Sequence, residues 1–288
     1  MSAREKENGW YCELDEGASP IIVLDAPYGK DHVWTDVLAD GLRETGEVRV
    51  FQYDRAGLGM SEAVITPRTP RNKAQELHLL LKAKGITKFY FVGYALSGFT
   101  VREYAYLYPG EILGIIMLDC ATEDQIEGID IFLNSVDKSL VKKFKANFKK
   151  IDGTFEDIKI GNKQIREIKK YDSLRDIPLT VVSGDYHGFA EISDVYDMAE
   201  TKGIEMEEQW NEWQENLANL SNNSKHITLN VYSYFRNKTE IRLILEMLGF
   251  EVDKKNYVDR PLFFSEGICG DNLPLFRFFA FIADGLGW

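Results

Sequence analysis

Short apolar runs alternate with longer helical patterns along most of the 288-residue chain, and this alternation constrains the fold more than any other feature. The apolar runs are nearly continuous in Val, Ile, Leu, Phe and Tyr, which is typical of strands that are buried on both faces. Strand–helix–strand alternation predicts an α/β fold, with a mostly parallel central sheet and helices on both faces. The predicted strands are Ile21–Leu24, Val48–Tyr53, Phe89–Val92, Leu113–Leu118, Leu179–Ser183 and Ile227–Val231.

Helical patterns lie between these strands, and one long segment interrupts the alternation. Helices are predicted over Arg71–Lys84, Thr100–Leu107 and Thr239–Leu248. The charged, helical segment 122–175 is interpreted as an inserted cap between two strands of a core formed by residues 1–121 and 176–250. Residues 251–288 form a C-terminal extension rich in Phe and Leu. We expect the extension to wrap its own domain, and its alternative role is an interface that forms a homo-oligomer.

The composition narrows the classes of partner. The net charge of −12 disfavours nucleic acid and anionic membrane surfaces. No apolar run reaches the roughly 20 residues that span a bilayer, and the polar N-terminus does not resemble a signal peptide. Three widely spaced cysteines without a CxxC pair are typical of a reducing compartment and give no support to a zinc site. We therefore expect a cytoplasmic protein with no metal ion and no cofactor.

Several motifs resemble the α/β-hydrolase family over most of the chain. The run YDRAGLGMSE (Tyr53–Glu62) is similar to the family's tight Asp-Arg-x-Gly-x-Gly-x-Ser turn, and FYFVGYALSGFTVREYAYLYP (Phe89–Pro109) resembles the nucleophile elbow with the helix that follows it. The run IIMLDCA (Ile115–Ala121) resembles the next strand and its carboxyl-end Asp. The resemblance implies acyl hydrolysis by a nucleophile, a histidine base, an acid and backbone oxyanion donors.

The resemblance places residues that cannot do this chemistry at the nucleophile and histidine positions. The centre of the Gly-x-Ser-x-Gly pentapeptide is Ala95, whose methyl group cannot attack a carbonyl. The histidine position falls on Tyr232, and a phenol with a pKa near 10 is a poor base at neutral pH. His226 lies six residues earlier in the same predicted strand, which puts it at the wrong end of the sheet.

The two acid positions remain, whereas the oxyanion loop is altered. Asp119 and Asp185 match the two acid positions that the family uses, and without a histidine we interpret them as strand-end hydrogen-bonding groups. The oxyanion donor of the first loop falls on Pro27, which has no N–H, and Asp25 brings negative charge toward a site for a developing anion.

Two functional hypotheses follow. In the first, the chain is catalytically inactive and binds a small apolar ligand or a protein partner, with Tyr28, His32, Trp34, Tyr94, Leu96 and Tyr232 lining the former active site; alternatively, their rings fill that cavity. In the second, the chain is an active carboxylic-ester or related hydrolase that uses Ser97, with His187 or His32 and with Asp185 or Asp119. The elbow geometry disfavours Ser97, because Phe99 is large for the position two residues after a nucleophile.

Overall fold

One mixed sheet organises the chain in the computed structural model, which describes residues 2–7, 9–136, 142, 152–169, 174–186, 200–232 and 238–253. The strand order across the sheet is β1-β2-β4-β3-β5-β6-β7-β8. Pairs β1–β2 and β2–β4 are antiparallel, and every later pair is parallel. The strands are β1 Ser2–Glu7, β2 Trp10–Asp15, β3 Ile21–Asp25, β4 Arg49–Tyr53, β5 Phe89–Tyr94, β6 Ile112–Leu118, β7 Leu179–Tyr186 and β8 Ser224–Tyr232.

The mostly parallel sheet and its six predicted strands are confirmed, and the N-terminal hairpin β1–β2 is an addition that the sequence analysis missed. Strand β1 has the sequence SAREKE, with four charged residues in six. Periodicity overlooks such a strand because a strand at the sheet edge pairs on one side only and tolerates charge. Strand β2 packs Tyr11 and Cys12 into the interior and pairs with β4.

Helices cover both faces of the sheet, as predicted. They are α1 Asp36–Thr45, α2 Pro70–Ala83, α3 Ser97–Leu107, α4 Glu123–Val136, α5 Phe155–Lys169, α6 Glu200–Ala218 and α7 Lys238–Met247. One core cluster joins the sheet to α2, α3 and α6 through Leu77, Tyr104 and Leu217. The other cluster joins the opposite face to α1 and α7 through Leu42 and Ile244. Burial on both faces explains why the strands are apolar at almost every position.

Helices α4 and α5 lie within the segment predicted as a cap. Helix α5 contacts α2 and α3, and Gly161 makes this approach close: a Cβ there would come within 2.7 Å of Pro70 Cδ. At the start of α4, the Glu123 carboxylate contacts Arg102 Nη1 of α3 at 2.6 Å and Lys169 Nζ of α5 at 2.8 Å. The domain boundaries and the role of the segment as a cap remain predictions. The extension beyond residue 253 lies outside the described residues.

In the part of the chain that the structure describes, no helix combines the length and the apolar character needed to cross a bilayer.

We predict that the Glu123 carboxylate stabilises the fold in a pH-dependent way. Burial opposes its ionisation, but Arg102 and then Lys169 more than offset this, and the pKa of Glu123 falls from 4.5 to about 2. A lowered pKa stabilises the fold above the unfolded-state pKa, and this contribution is lost as the pH falls from about 4.5 to about 2. Glu123→Gln is expected to lower the free energy of unfolding by about 3 kcal/mol near neutral pH. Urea unfolding between about pH 3 and pH 7 measures this difference.

The matched control is Glu127→Gln, because the Glu127 side chain is exposed where it contacts Arg166. An exposed ion pair contributes about 0–1 kcal/mol, so this variant should differ little from the native chain. A destabilisation by Glu123→Gln that stays constant across the pH range would contradict the assignment of the effect to the ionised carboxylate.

Candidate functional site

A tight turn at the carboxyl end of β5 leads directly into α3. Ala95 lies at the turn with a backbone φ of +47°, a value that costs a non-glycine residue of order 1–3 kcal/mol and is frequent at active sites. Its N–H donates to Leu118 O at 3.2 Å, and its carbonyl accepts from Ala121 N at 2.9 Å. The turn therefore has the strained strand-to-helix geometry of a nucleophile elbow, with a methyl side chain at its apex.

Two glycines make this elbow possible. A Cβ at Gly93 would come within 2.6 Å of Val101 Cγ2, and a Cβ at Gly98 would come within 2.6 Å of Cys120 Cβ. The sulfur of Cys120 lies behind the turn, and its thiol donates to Gly93 O at 3.2 Å. Burial raises the pKa of the Cys120 thiol, and Asp119 adds to the effect, so this cysteine is unsuited to act as a thiolate nucleophile.

Ser97, the alternative nucleophile of the sequence analysis, bonds to backbone atoms. Its Oγ accepts from Tyr94 N at 2.6 Å and donates to Asp25 O at 3.2 Å, and the residue is 4% exposed. Neither of these two hydrogen bonds involves a histidine. The hydroxyl ties the start of α3 to the elbow and to β3, which is a structural role.

The histidines and Tyr232 occupy different places relative to the elbow. The backbone of Tyr232 lies at the carboxyl end of β8, paired with Tyr186 of β7. His187 lies outside the described residues. His226 pairs with Val181 within the sheet, and its Nε2 lies 2.8 Å from Ser183 Oγ, while burial lowers its pKa. The prediction that His226 is remote from the carboxyl edge agrees with this placement.

His32 contacts the turn after β4. Its Nδ1 lies 2.8 Å from Asp54 Oδ1, and its ring lies 4.5 Å from the ring of Tyr11. Asp54 also accepts from the N–H groups of His32 and Met60, each at 2.8 Å. The imidazole thus takes part in the network that holds the first loop to the Tyr53–Glu62 turn.

The two acid positions differ in their backbone setting. Asp119 directly follows β6, is buried, has a φ of +47° and donates its N–H to Val182 O at 2.8 Å. The predicted strand Leu179–Ser183 is too short, and the prediction that Asp185 follows the strand is wrong. Strand β7 continues to Tyr186 through an irregular register between Gly184 and Tyr186, so the backbone of Asp185 lies within the strand. Pairing with the long strand β8 accounts for the extension.

The first loop is organised around a buried arginine that the sequence analysis did not single out. Arg55 Nη1 donates to Asp25 Oδ1 and to Ala26 O, each at 2.7 Å, and Arg55 Nη2 donates to Pro27 O at 2.6 Å. Tyr53 Oη donates to the same Asp25 oxygen at 2.8 Å. Burial raises the pKa of Asp25, and Arg55 opposes this shift. The first loop therefore contains a buried carboxylate, that of Asp25, and two carbonyls that accept hydrogen bonds from the Arg55 guanidinium.

Asp152, which precedes α5, completes this charged network. Its carboxylate contacts Arg55 Nη2 at 2.9 Å, Lys73 Nζ at 2.8 Å and the Gly29 N–H at 2.6 Å. Burial opposes ionisation, but Arg55 and Lys73 hold the pKa of Asp152 well below its usual range. Asp152 and Asp25 together raise the pKa of Arg55 against the effect of burial. Two acids and two bases thus balance one another beneath the start of α5.

The predicted ligand-lining residues are divided between the interior and the elbow surface. Tyr28 is buried and donates its hydroxyl to Gly153 O. Tyr94 is buried in the core cluster of α1, and Trp34 packs edge-on to it with ring centroids 4.8 Å apart. Leu96 is part-buried beside Ala95. A role of these residues in binding a ligand remains a prediction.

Comparison with known proteins gives the family context of this geometry. No family model matches the chain. The chain is similar to the uncharacterized protein YqjL of Bacillus subtilis, at 27% identity over 75% of this chain and 77% of that protein. It is also 27% identical to an AB hydrolase superfamily protein of Gibberella zeae, over 54% of this chain and 48% of that protein.

A solved hydrolase from Pseudomonas aeruginosa PA01 superposes with a TM-score of 0.57 at 18% identity, covering 86% of this chain and 98% of its own. The chain has the α/β-hydrolase fold. The fold predicted from the motifs at Tyr53–Glu62 and Phe89–Pro109 is therefore confirmed.

In this α/β-hydrolase-fold protein, the buried Arg55–Asp152 contact is the feature of the site that could not be predicted from the sequence. Arg55 lies in the Tyr53–Glu62 motif, but Asp152 lies 97 positions later in the chain.

We predict that Ser97 stabilises the elbow. Ser97→Ala removes the acceptor of the buried Tyr94 N–H, so the free energy of unfolding should fall by about 1–3 kcal/mol. Urea unfolding measures the change. Ser224→Ala, at the exposed start of β8, is the control and should stay within about 0.5 kcal/mol of the native chain. Equal effects of the two variants would show that the Ser97 hydrogen bonds do not stabilise the turn.

Proposed function

We propose that this α/β-hydrolase-fold protein does not hydrolyse esters, and that it binds a small, largely apolar ligand or a protein partner at the elbow. The observation that carries the proposal is the methyl side chain of Ala95 at the φ +47° turn between β5 and α3. Covalent acyl transfer requires a hydroxyl, thiol or carboxylate at this apex. A methyl group leaves the apex without a nucleophile while the backbone geometry persists.

The surroundings of the elbow support the same proposal. Ser97 uses its hydroxyl on backbone atoms of Tyr94 and Asp25. In the first loop, Pro27 has no N–H, and its carbonyl accepts from Arg55. Removing one oxyanion donor from a working hydrolase typically lowers the rate by about 10²–10³. The missing nucleophile and the altered loop both disfavour the same reaction.

Apolar residues near the elbow favour binding of an apolar group. Ala95 and Leu96 are part-buried at the apex. In the loops that follow β3 and β4 at the same sheet edge, Val33 is 57% exposed and Met60 is 61% exposed.

A second candidate function is hydrolysis of a carboxylic ester or related bond with Ser97 as nucleophile and with His187 and Asp185 as partners. The names of similar proteins favour it, because the fungal relative is called an AB hydrolase superfamily protein and the superposed Pseudomonas structure is called a hydrolase. It requires the Ser97 hydroxyl to leave its two backbone partners and to meet a histidine.

Ester hydrolysis and active-site labelling distinguish the two functions. The native chain should hydrolyse p-nitrophenyl acetate no faster than Ser97→Ala, and a fluorophosphonate probe should not label it, because no activated hydroxyl stands at the elbow. The double variant Ala95→Ser with Tyr232→His restores a hydroxyl and an imidazole at the two altered positions. Mass spectrometry should then find the probe at residue 95. Saturable turnover by the native chain that Ser97→Ala abolishes would overturn the proposal.

A direct binding measurement tests the ligand. Native mass spectrometry of the purified chain should detect a bound apolar small molecule, and Leu96→Asp should lose it because a carboxylate at the part-buried apex repels apolar groups. Leu79→Asp is the matched control, since Leu79 is an exposed residue of α2. Retention of the molecule by Leu96→Asp would place its site elsewhere.

A further inference from the structure

The carboxylate of Asp152 occupies a site built from four donor groups of three residues. Arg55 Nε donates to Oδ1 at 3.2 Å and Arg55 Nη2 donates to Oδ2 at 2.9 Å, which is the two-point geometry of an arginine–carboxylate pair. Lys73 Nζ lies 2.8 Å from Oδ1, and the Gly29 N–H donates to Oδ2 at 2.6 Å. The side chain of Asp152 is only 1% exposed. Both oxygens are therefore coordinated by donors in a water-excluded setting.

The donors and the acceptor belong to different parts of the fold. Gly29 lies in the loop after β3, Arg55 in the turn after β4, and Lys73 in α2, so all three are held by the sheet and its covering helix. Asp152 comes from the inserted segment just before α5. The sheet and α2 therefore hold the donors in place, and the carboxylate that they bind belongs to the predicted insert.

The two positively charged donors, Arg55 and Lys73, favour binding of an anion. Arg55 contacts Asp25 on its other side at 2.7 Å, which balances one positive charge. Lys73 supplies a second positive charge whose acidic contact is Asp152. Burial lowers the pKa of Lys73 and the Asp152 carboxylate opposes this shift, so loss of Asp152 leaves a buried ammonium without its acidic contact. An anion bound between Arg55 and Lys73 would offset that loss.

Backbone contacts hold the insert at the same place. Lys73 Nζ also donates to Asp152 O at 2.7 Å, and the Tyr28 hydroxyl donates to Gly153 O. Gly153 has a φ of +130°, and a Cβ there would come within 3.3 Å of Arg68 O, so this peptide approaches the core closely. The side chain and backbone of Asp152 are therefore two separable attachments of the insert.

We propose that Gly29, Arg55 and Lys73 form a carboxylate-binding site, and that Asp152 is an internal ligand which blocks it. A small carboxylate from solution takes this site once the Asp152 side chain is gone. In the native chain the tethered carboxylate is present at a high effective concentration and outcompetes a free one. This inference goes beyond the proposed function and does not depend on whether the elbow is catalytic.

Formate is the probe, because Asp152→Ala removes a carboxylate of the same size. Formate should raise the Tm of Asp152→Ala in a saturable manner, because a ligand that binds only the folded state stabilises it by mass action. Sodium chloride at equal ionic strength and formamide, the neutral counterpart of formate, should not do so. The native chain should respond equally to formate and chloride, since Asp152 already fills the site.

The charge requirement has its own control. Asp152→Ala combined with Lys73→Met removes one positive charge from the donor set, so formate should bind this double variant at least about tenfold more weakly than the single variant. If Asp152→Ala does not fold in plain buffer, its refolded fraction after dilution from urea should be larger in formate than in chloride, as judged by circular dichroism.

Two results would overturn the proposal. In the first, formate and chloride act equally on Asp152→Ala, both on its Tm and on its refolded fraction. In the second, formamide stabilises the variant as well as formate does. This would show that the space left by the Asp152 side chain binds small molecules without regard to charge. Neither result bears on ester hydrolysis, so failure here is distinguishable from failure of the proposed function.

Discussion

The buried guanidinium of Arg55 is the group on which the carboxyl edge of the sheet depends. It contacts Asp25 at the end of β3, the carbonyls of Ala26 and Pro27 in the first loop, and Asp152 in the insert. Arginine suits this position because it stays protonated and offers five donors in a rigid plane. One side chain thereby joins the loop after β3, the turn after β4 and the segment before α5, and its donors hold the carbonyls of the first loop.

The sequence predicted the fold well because the sheet is buried on both faces. Continuous apolar runs marked β3 to β8, and the motif at Phe89–Pro109 located the elbow, where Ala95 has the left-handed backbone of a strained turn. The hairpin β1–β2 was missed because its charged outer strand has no apolar periodicity. The end of β7 was misplaced because pairing with β8, rather than local propensity, extends that strand to Tyr186.

The site was only partly predictable, because its charged contacts join residues that are distant in the chain. Asp25 and Pro27 were recognised from their place in the first loop, but their partner Arg55 was read only as part of a turn motif. Asp152 lies in the charged segment 122–175, and its role follows from its burial beside Arg55 and Lys73, which the sequence does not show. Pairwise contacts of this kind leave no periodic pattern in one sequence.

The elbow is held by main-chain groups on both sides of Ala95, and this has an evolutionary consequence. Leu118 O and Ala121 N secure the strained peptide from the neighbouring strand and the segment that follows it, whatever side chain stands at position 95. A lineage can therefore exchange that side chain, in either direction, without rebuilding its scaffold. The side chain at the apex of such a turn can therefore change by substitution, whereas main-chain hydrogen bonds maintain the backbone that positions it.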